Sequence, residues 1–455
     1  MLAARLRTGS DMSFALTTDA LRDVALAAIE RARRGGADQA EAEATQGKGL
    51  NVTVRQGELE TLEHNVEKSL GVTVYVGGRK GNATSGDFSP QAIATAVDKA
   101  ITIARHTSAD PFAGLADAAQ MAREVPDLDL YHPWSLDADR AIAIAQRCEA
   151  AGFAVDARID NSEGASVSSN DNEFVYANTH GFCGGYRGSS HYIGCAMVAS
   201  EGEAMERDDW YTAARVAEAM EDAAAVGRRA GERAVARLGS RKIATQNAPV
   251  LFSPTMAAGF LGHGISALYG GALYRKTSFL LDSLGQPIFA PLVDIIDDPF
   301  IHRAYASSPF DTEGVACERR AIVERGVVRG YFLSAYSARK LGMRSTGNAG
   351  GNHNLVVAPT VAGGLDALAR QMGRGLIVTE LMGQGVNPVT GDYSRGAAGF
   401  WVEGGAIAHP VSEVTIAGNL RELYQRIVAI GDDVDRRGSK HVGSLLIESM
   451  QIAGA

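Results

Sequence analysis

The chain has 455 residues, a formal net charge of −9, 45% hydrophobic residues and 21% charged residues. That length suits two to three domains with sizeable cores, and the acidic balance disfavours phosphate backbones, so no nucleic-acid partner is expected. Nothing approaches the roughly eighteen consecutive apolar residues of a membrane span, so no membrane partner is expected either.

Met1-Leu-Ala-Ala-Arg-Leu-Arg7 lacks the apolar core of a secretory signal. It reads as a disordered leader over residues 1–12, with Met12 an alternative start. Residues 13–110 form a first helix–sheet module. Leu21, Val24, Ala25, Ala28, Ile29 and Ala32 recur at helical spacing, and Gly35-Gly36 supplies a stop. Leu50–Arg55 and Leu70–Val76 alternate as strands. Ser89-Pro90 opens a helix whose buried stripe is Ile93, Ala96, Val97, Ala100 and Ile101. A polar, proline-containing stretch leads to a second α+β module over residues 127–238. There a helix over Asp137–Ala151 precedes glycine-punctuated strands from Ile159 to Val198 and a helix over Arg215–Leu238. The basic cluster from Arg228-Arg229 to Arg241-Lys242, with Glu232 interleaved, reads as a solvated helix face. After the linker Gly239–Ala248, residues 245–455 are glycine-rich and strand-rich, with helices at Pro254–Tyr269, Leu365–Met372 and Leu420–Ile430. The fold class is therefore α+β: a mixed helix/sheet N-terminal region followed by a larger β-rich C-terminal domain.

Motif chemistry is sparse. Cys148, Cys183, Cys195 and Cys317 show neither CxxC spacing nor disulfide density, which suits a reduced, cytoplasmic protein. A zinc peptidase needs two imidazoles on one helix face with a carboxylate beside them. None of the ten histidines is followed by glutamate, and no two lie four or five residues apart on a helical stretch. Ser337-Ala-Arg-Lys340 matches an S-x-x-K pattern without its S-D-N and K-T-G companions, and so short a pattern arises easily by chance. No nucleophile elbow, P-loop or dinucleotide fingerprint is present.

The C-terminal half carries Tyr336-Ser-Ala-Arg-Lys-Leu-Gly342, Ser345-Thr-Gly-Asn-Ala-Gly-Gly351, Thr379-Glu-Leu-Met-Gly-Gln-Gly385 and Thr390-Gly-Asp-Tyr-Ser-Arg-Gly-Ala-Ala-Gly-Phe-Trp401 in one order. These blocks resemble the PmbA (TldE) branch of the TldD/PmbA family, whose complexes are metallopeptidases. The resemblance implies a TldD-type partner holding zinc through an HExxxH motif, and unfolded or extended peptides as substrates. At the matching position this chain reads Gly262-His-Gly-Ile-Ser-Ala267, so glycine and alanine replace the ligand histidines and His263 replaces the glutamate. Near the C-terminus, Val442-Gly443 stands where the catalytic branch has a cysteine before glycine. No catalytic residue, metal ligand or cofactor is therefore expected in this chain.

Three residues are expected to bind substrate. His353 lies in the glycine-rich Gly350-Gly-Asn-His-Asn354, while Asp392 and Arg395 lie in a run whose small residues allow close approach. That run suits β-strand addition of a peptide or an internal hairpin. Two further readings stand beside the silent subunit. One is a self-sufficient hydrolase using His353 with Asp392 or Glu380. The other is a homodimeric scaffold that forms when the chain is alone and captures peptides without cleaving them.

Overall fold

The computed structural model describes residues 14–454, and the expected leader lies outside them. Helix α1 (Thr18–Arg34) starts where the Thr17 hydroxyl accepts the Ala20 N–H, and it buries Leu21, Ala25, Ala28, Ile29 and Ala32 as its periodicity predicts. Strands β1 (Gln39–Arg55), β2 (Glu58–Val76) and β3 (Arg79–Ser85) follow. Helix α2 (Pro90–His106) has Ser89 as its cap and proline in the first turn. After a long loop come α3 (Ala138–Phe153), β4 (Ile159–Asn178), β5 (Cys183–Glu201), β6 (Ala204–Ala214) and α4 (Ala223–Ala236).

All six strands make one antiparallel sheet in the order β3-β2-β1-β4-β5-β6. The β1–β4 pairing runs from Glu41↔Asn178 to Val54↔Ala165 and joins the segments on either side of the loop. Alternation on β1 puts Ala40, Ala42, Ala44, Leu50, Val52 and Val54 on one face. Helices α1 and α2 cover the first half of that face, and α3 and α4 cover the second. The opposite face offers Phe174, Tyr176 and Tyr186, which together with Phe182 enclose Phe310 of the C-terminal region.

The C-terminal region begins with β7 (Gln246–Phe252), α5 (Pro254–Ala267) and α6 (Gly270–Tyr274). It continues through β8 (Ile295–Asp298), β9 (Arg320–Glu324), β10 (Val327–Val328), α7 (Ala335–Lys340), β11 (Asn354–Val357) and α8 (Gly364–Met372). The last elements are β12 (Gly375–Met382), β13 (Asp392–Glu403), β14 (Ala406–Asn419), α9 (Leu420–Gln425), β15 (Ile427–Ile430), β16 (Lys440–His441) and β17 (Leu445–Ala453). Strands β14-β13-β12-β7-β17 close on themselves, because Thr415–Ala417 pair with Gln451–Ala453, and β15 extends from β17. A smaller sheet, β10-β9-β8-β11-β16, packs into the same core, which Phe252, Phe260, Leu280, Tyr393 and Tyr424 fill. The fold is α+β, with the larger β-rich part at the C-terminus.

Several elements depart from their sequence patterns. The helix expected over 215–238 begins only at Ala223, because Asp222 accepts the Ala224 N–H as an N-cap. The helix expected over 420–430 stops at Gln425, and Ile427–Ile430 pair with β17 instead. The first part of β2, residues 58–69, is exposed throughout and so carries no alternation to announce it. The basic cluster is only partly a solvated face. Arg228 and Arg229 are exposed, but Arg237 is buried against Glu206, Asp208 and Glu380, and Arg233 donates to Asp208. Arg237 thereby ties α4 to β12.

The motif Tyr336-Ser-Ala-Arg-Lys340 serves the same seam. Ser337 closes a capping box with Ser334, and Lys340 lies 3.7 Å from Asp110. The Tyr336 hydroxyl donates to Asp110 at 2.7 Å, and the Arg339 guanidinium donates to the carbonyls of Phe112, Gly114 and Leu115. Neither serine nor lysine is left for nucleophilic chemistry.

Carboxylates crowd this seam. Tyr176 and Tyr75 donate to Glu41, while Glu313 accepts the Ala335 N–H at 2.8 Å. Burial, with Asp311 and Glu41 nearby, pushes Glu313 up to about 7. Burial pushes Asp311 up to about 6 against three backbone donors. A carboxyl raised on folding keeps a proton that the unfolded chain has lost, so its contribution is lost as pH rises from about 4.5 to about 7. Glu313→Gln keeps an oxygen for Ala335 and cannot ionise. Thermal unfolding between about pH 5 and pH 8 should therefore show a smaller loss of stability in this variant than in the parent.

Candidate functional site

The site builds outward from α5. Its N-terminus follows from Ser253-Pro254, and its inward stripe is Ala257, Phe260, Leu261, Gly264, Ile265 and Ala267. Its three glycines have different surroundings. A Cβ on Gly259 would meet nothing within 4 Å. One on Gly264 would lie 2.8 Å from the Tyr424 ring, whose hydroxyl donates to the Phe260 carbonyl at 3.0 Å. One on Gly262 would press on Lys440 of β16, 3.2 Å from Cε and 3.7 Å from Nζ. A helix glycine that costs about 1 kcal/mol relative to alanine is thus tolerated at Gly262 and Gly264 by what packs there.

The residue types around this face are basic and aromatic. His263 meets the Tyr393 ring edge-on at 6.0 Å between centroids. Tyr393 and Arg395 share one face of β13. The Arg395 guanidinium donates through Nε to the Met382 carbonyl at 3.2 Å and through Nη2 to the Leu381 carbonyl at 3.3 Å. The Tyr393 hydroxyl is buried with no partner among the described residues, and burial pushes it up to about 12. His263 is held below its ordinary value by burial first, then by Arg395 and Lys440. Lys440 is lowered by burial. Glycine, alanine, one cation-flanked imidazole and an ammonium do not make a donor set for zinc. Among the described residues no group of three or more His, Cys, Asp or Glu side chains is placed to hold a metal ion.

The three sequence-selected residues separate in space. Arg395 belongs to the α5 face. Asp392 accepts from Thr390 and Asn419, which hold it below the usual carboxylate range. His353 is buried: its N–H donates to Asp297 Oδ1 at 2.8 Å, Nδ1 lies 3.1 Å from Asp297 Oδ2, and Nε2 lies 3.3 Å from the Cys317 sulfur. Asn348 braces Asp297 at 2.9 Å and accepts from Arg320. The pairing of His353 with Asp392 or Glu380 is therefore replaced: its carboxylate is Asp297, and Glu380 bonds Arg237. Cys317 borders an open cavity of about 820 Å³ with Arg320 and Arg344, but burial pushes the thiol well up, away from its nucleophilic form.

Strand addition along residues 391–401 meets a physical obstacle. Strand β13 is hydrogen-bonded to β12 on one edge and to β14 on the other, so it offers no free ladder and forms the internal hairpin instead. Sequence reading missed Lys440, Cys317 and Asp297 because each is a single residue with no local pattern. Tyr393 lies inside a quoted block, where nothing local marks its hydroxyl as unpartnered.

Residues 245–454 match the PmbA/TldA metallopeptidase C-terminal domain, residues 131–238 its central domain, and residues 40–104 its domain 1. The chain belongs to the PmbA branch of this metallopeptidase family. It is 46% identical to Metalloprotease PmbA of Escherichia coli O157:H7, over 95% of this chain and 96% of that protein. It is 44% identical to the Metalloprotease PmbA homolog of Haemophilus influenzae over the same shares. Among solved structures, a protein titled a modulator of DNA gyrase from Bacteroides thetaiotaomicron superposes with a TM-score of 0.92 at 29% identity, covering 97% of this chain and all of that one. TldE from Thermococcus kodakarensis shares the fold, with a TM-score of 0.84 at 21% identity over 94% of this chain and 99% of that one.

The glycines of α5 give a paired prediction for this PmbA-branch chain. Gly259→Ala should stabilise it by about 0.5–1 kcal/mol through helix propensity. Gly264→Ala should destabilise it by about 1–3 kcal/mol by driving a methyl into the Tyr424 ring. Denaturant melts of both variants check the contrast.

Proposed function

We propose that this chain is the TldE-type subunit of a TldD–TldE peptidase assembly, catalytically silent itself, completing the cleft over zinc held by a TldD-type partner. The observation that carries this reading is the meeting of Gly262 with Lys440. A Cβ at 262 would lie 3.2 Å from the Lys440 Cε and 3.7 Å from its Nζ, so a side chain there would have to make the end of the lysine give way. The TldE name on a solved structure of this fold and the weaker match to a TldD homolog, 25% identical over 38% of this chain, support a paired assembly. The proposed substrates are unfolded or extended peptides, with Arg395 the expected contact that lies on the α5 face. Without its partner the chain is proposed to self-pair. A reduced, cytoplasmic setting is part of the reading, supported by four cysteines that are all free. No described helix is long and apolar enough to cross a membrane.

Elemental analysis of the purified chain should find zinc far below one ion per chain. Mixing with a TldD-type subunit should give zinc and peptide cleavage together, both removed by mutating the partner's HExxxH. Stoichiometric zinc in the chain alone, or cleavage by the chain without a partner, would overturn the proposal.

A further inference from the structure

Burying an ammonium without a carboxylate is costly, and several cations of this fold avoid it. Arg437 pairs with Asp435 at 2.9 Å, Arg319 with Asp298 at 3.0 Å, and Arg237 with Glu206 and Glu380. Lys440 has no such partner: it is half-buried, takes part in no ion pair among the described residues, and has no neighbouring acid that offsets its burial. Half-buried His263 has only Arg395 and Lys440 as charged neighbours. Arg395 spends Nε and Nη2 on carbonyls and leaves Nη1 without a protein partner among the described residues. Three basic groups from α5, β13 and β16 thus converge with no acid among them, against the unpartnered hydroxyl of Tyr393.

We propose that Lys440, Arg395 and His263 form a subsite for a peptide carboxylate. A carboxylate accepts from an ammonium and a guanidinium at once, and charge-assisted bonds of this kind are the strong ones. It would supply the counter-charge that the fold withholds, and the missing side chain at Gly262 leaves room for the end of Lys440. Calling the ligand a peptide carboxylate rests on the peptidase reading above, whereas the anion preference rests on the charges alone. The carboxylate has two sources, the C-terminus of a chain or an Asp or Glu side chain.

Isothermal titration of the full chain alone, in low salt with 1,10-phenanthroline present, separates these points. The probes are trialanine with a free acid, trialanine amide, and N-acetyl-Ala-Glu-Ala amide with its Gln counterpart. The free acid, the Glu peptide, or both should bind at least about tenfold more tightly than the matched neutral peptide. Preference for the free acid alone assigns a C-terminal subsite, and preference for the Glu peptide assigns a side-chain subsite. Lys440→Met should erase the preference, and Arg395→Gln should reduce it. Equal affinity of charged and neutral peptides, no binding of any probe at millimolar concentration, or a preference surviving in a folded Lys440→Met chain would each overturn the proposal. Because the readout is binding without a partner or metal, its failure is distinct from a failure of the silent-subunit reading, which zinc content decides.

Discussion

Helix α5 can lie where it does only because Gly264 carries no side chain. The Tyr424 ring occupies the space a methyl would take, and its hydroxyl anchors on the Phe260 carbonyl of the same helix. Stacking of Phe289 on the Tyr424 ring, at 4.7 Å between centroids, fixes the ring in turn. With the helix pinned at that depth, Gly262 meets Lys440 and His263 meets Tyr393. The chemistry of the face therefore follows from a packing constraint on its buried side.

The seating also explains why this face differs in kind from a metal centre. A chelating site needs neutral imidazoles and carboxylates converging on one point. Here a single imidazole meets an ammonium and a guanidinium, two cations that repel a divalent ion; backbone carbonyls hold Arg395, and His263 lies edge-on to the Tyr393 ring. Such an arrangement favours an anionic ligand on electrostatic grounds. The buried Cys317–His353–Asp297 chain is a different case: its hydrogen bonds are turned inward on Asn348 and Arg320, and burial keeps the thiol protonated.

The N-terminal sheet and the C-terminal region are bound by polar clamps as well as by the aromatic cluster at Phe310. Arg339 reaches three carbonyls of the 112–115 loop, Tyr336 reaches Asp110, and Arg237 reaches Glu380. Gln120 adds a bond to the Ser345 carbonyl, and the Ala122 N–H adds one to Gly314. Two of the four sequence signatures, around Tyr336 and Ser345, are therefore spent on this seam.

Periodicity and capping chemistry in the chain already determined α1, α2, α3 and α8, because each buries a one-sided stripe and most carry their own start signal, as Thr17, Ser89 and Asp137 do. That glycine and alanine stand at 262 and 267 was equally legible, since it needs only a position and a residue type. Tertiary structure alone decided the rest. Ile427–Ile430 became a strand because β17 offered it a ladder, and the first half of β2 did so beside β1 without burying anything. Lys440, Arg395 and His263 lie far apart in sequence, and no local pattern marks a charge whose meaning depends on having no acid beside it.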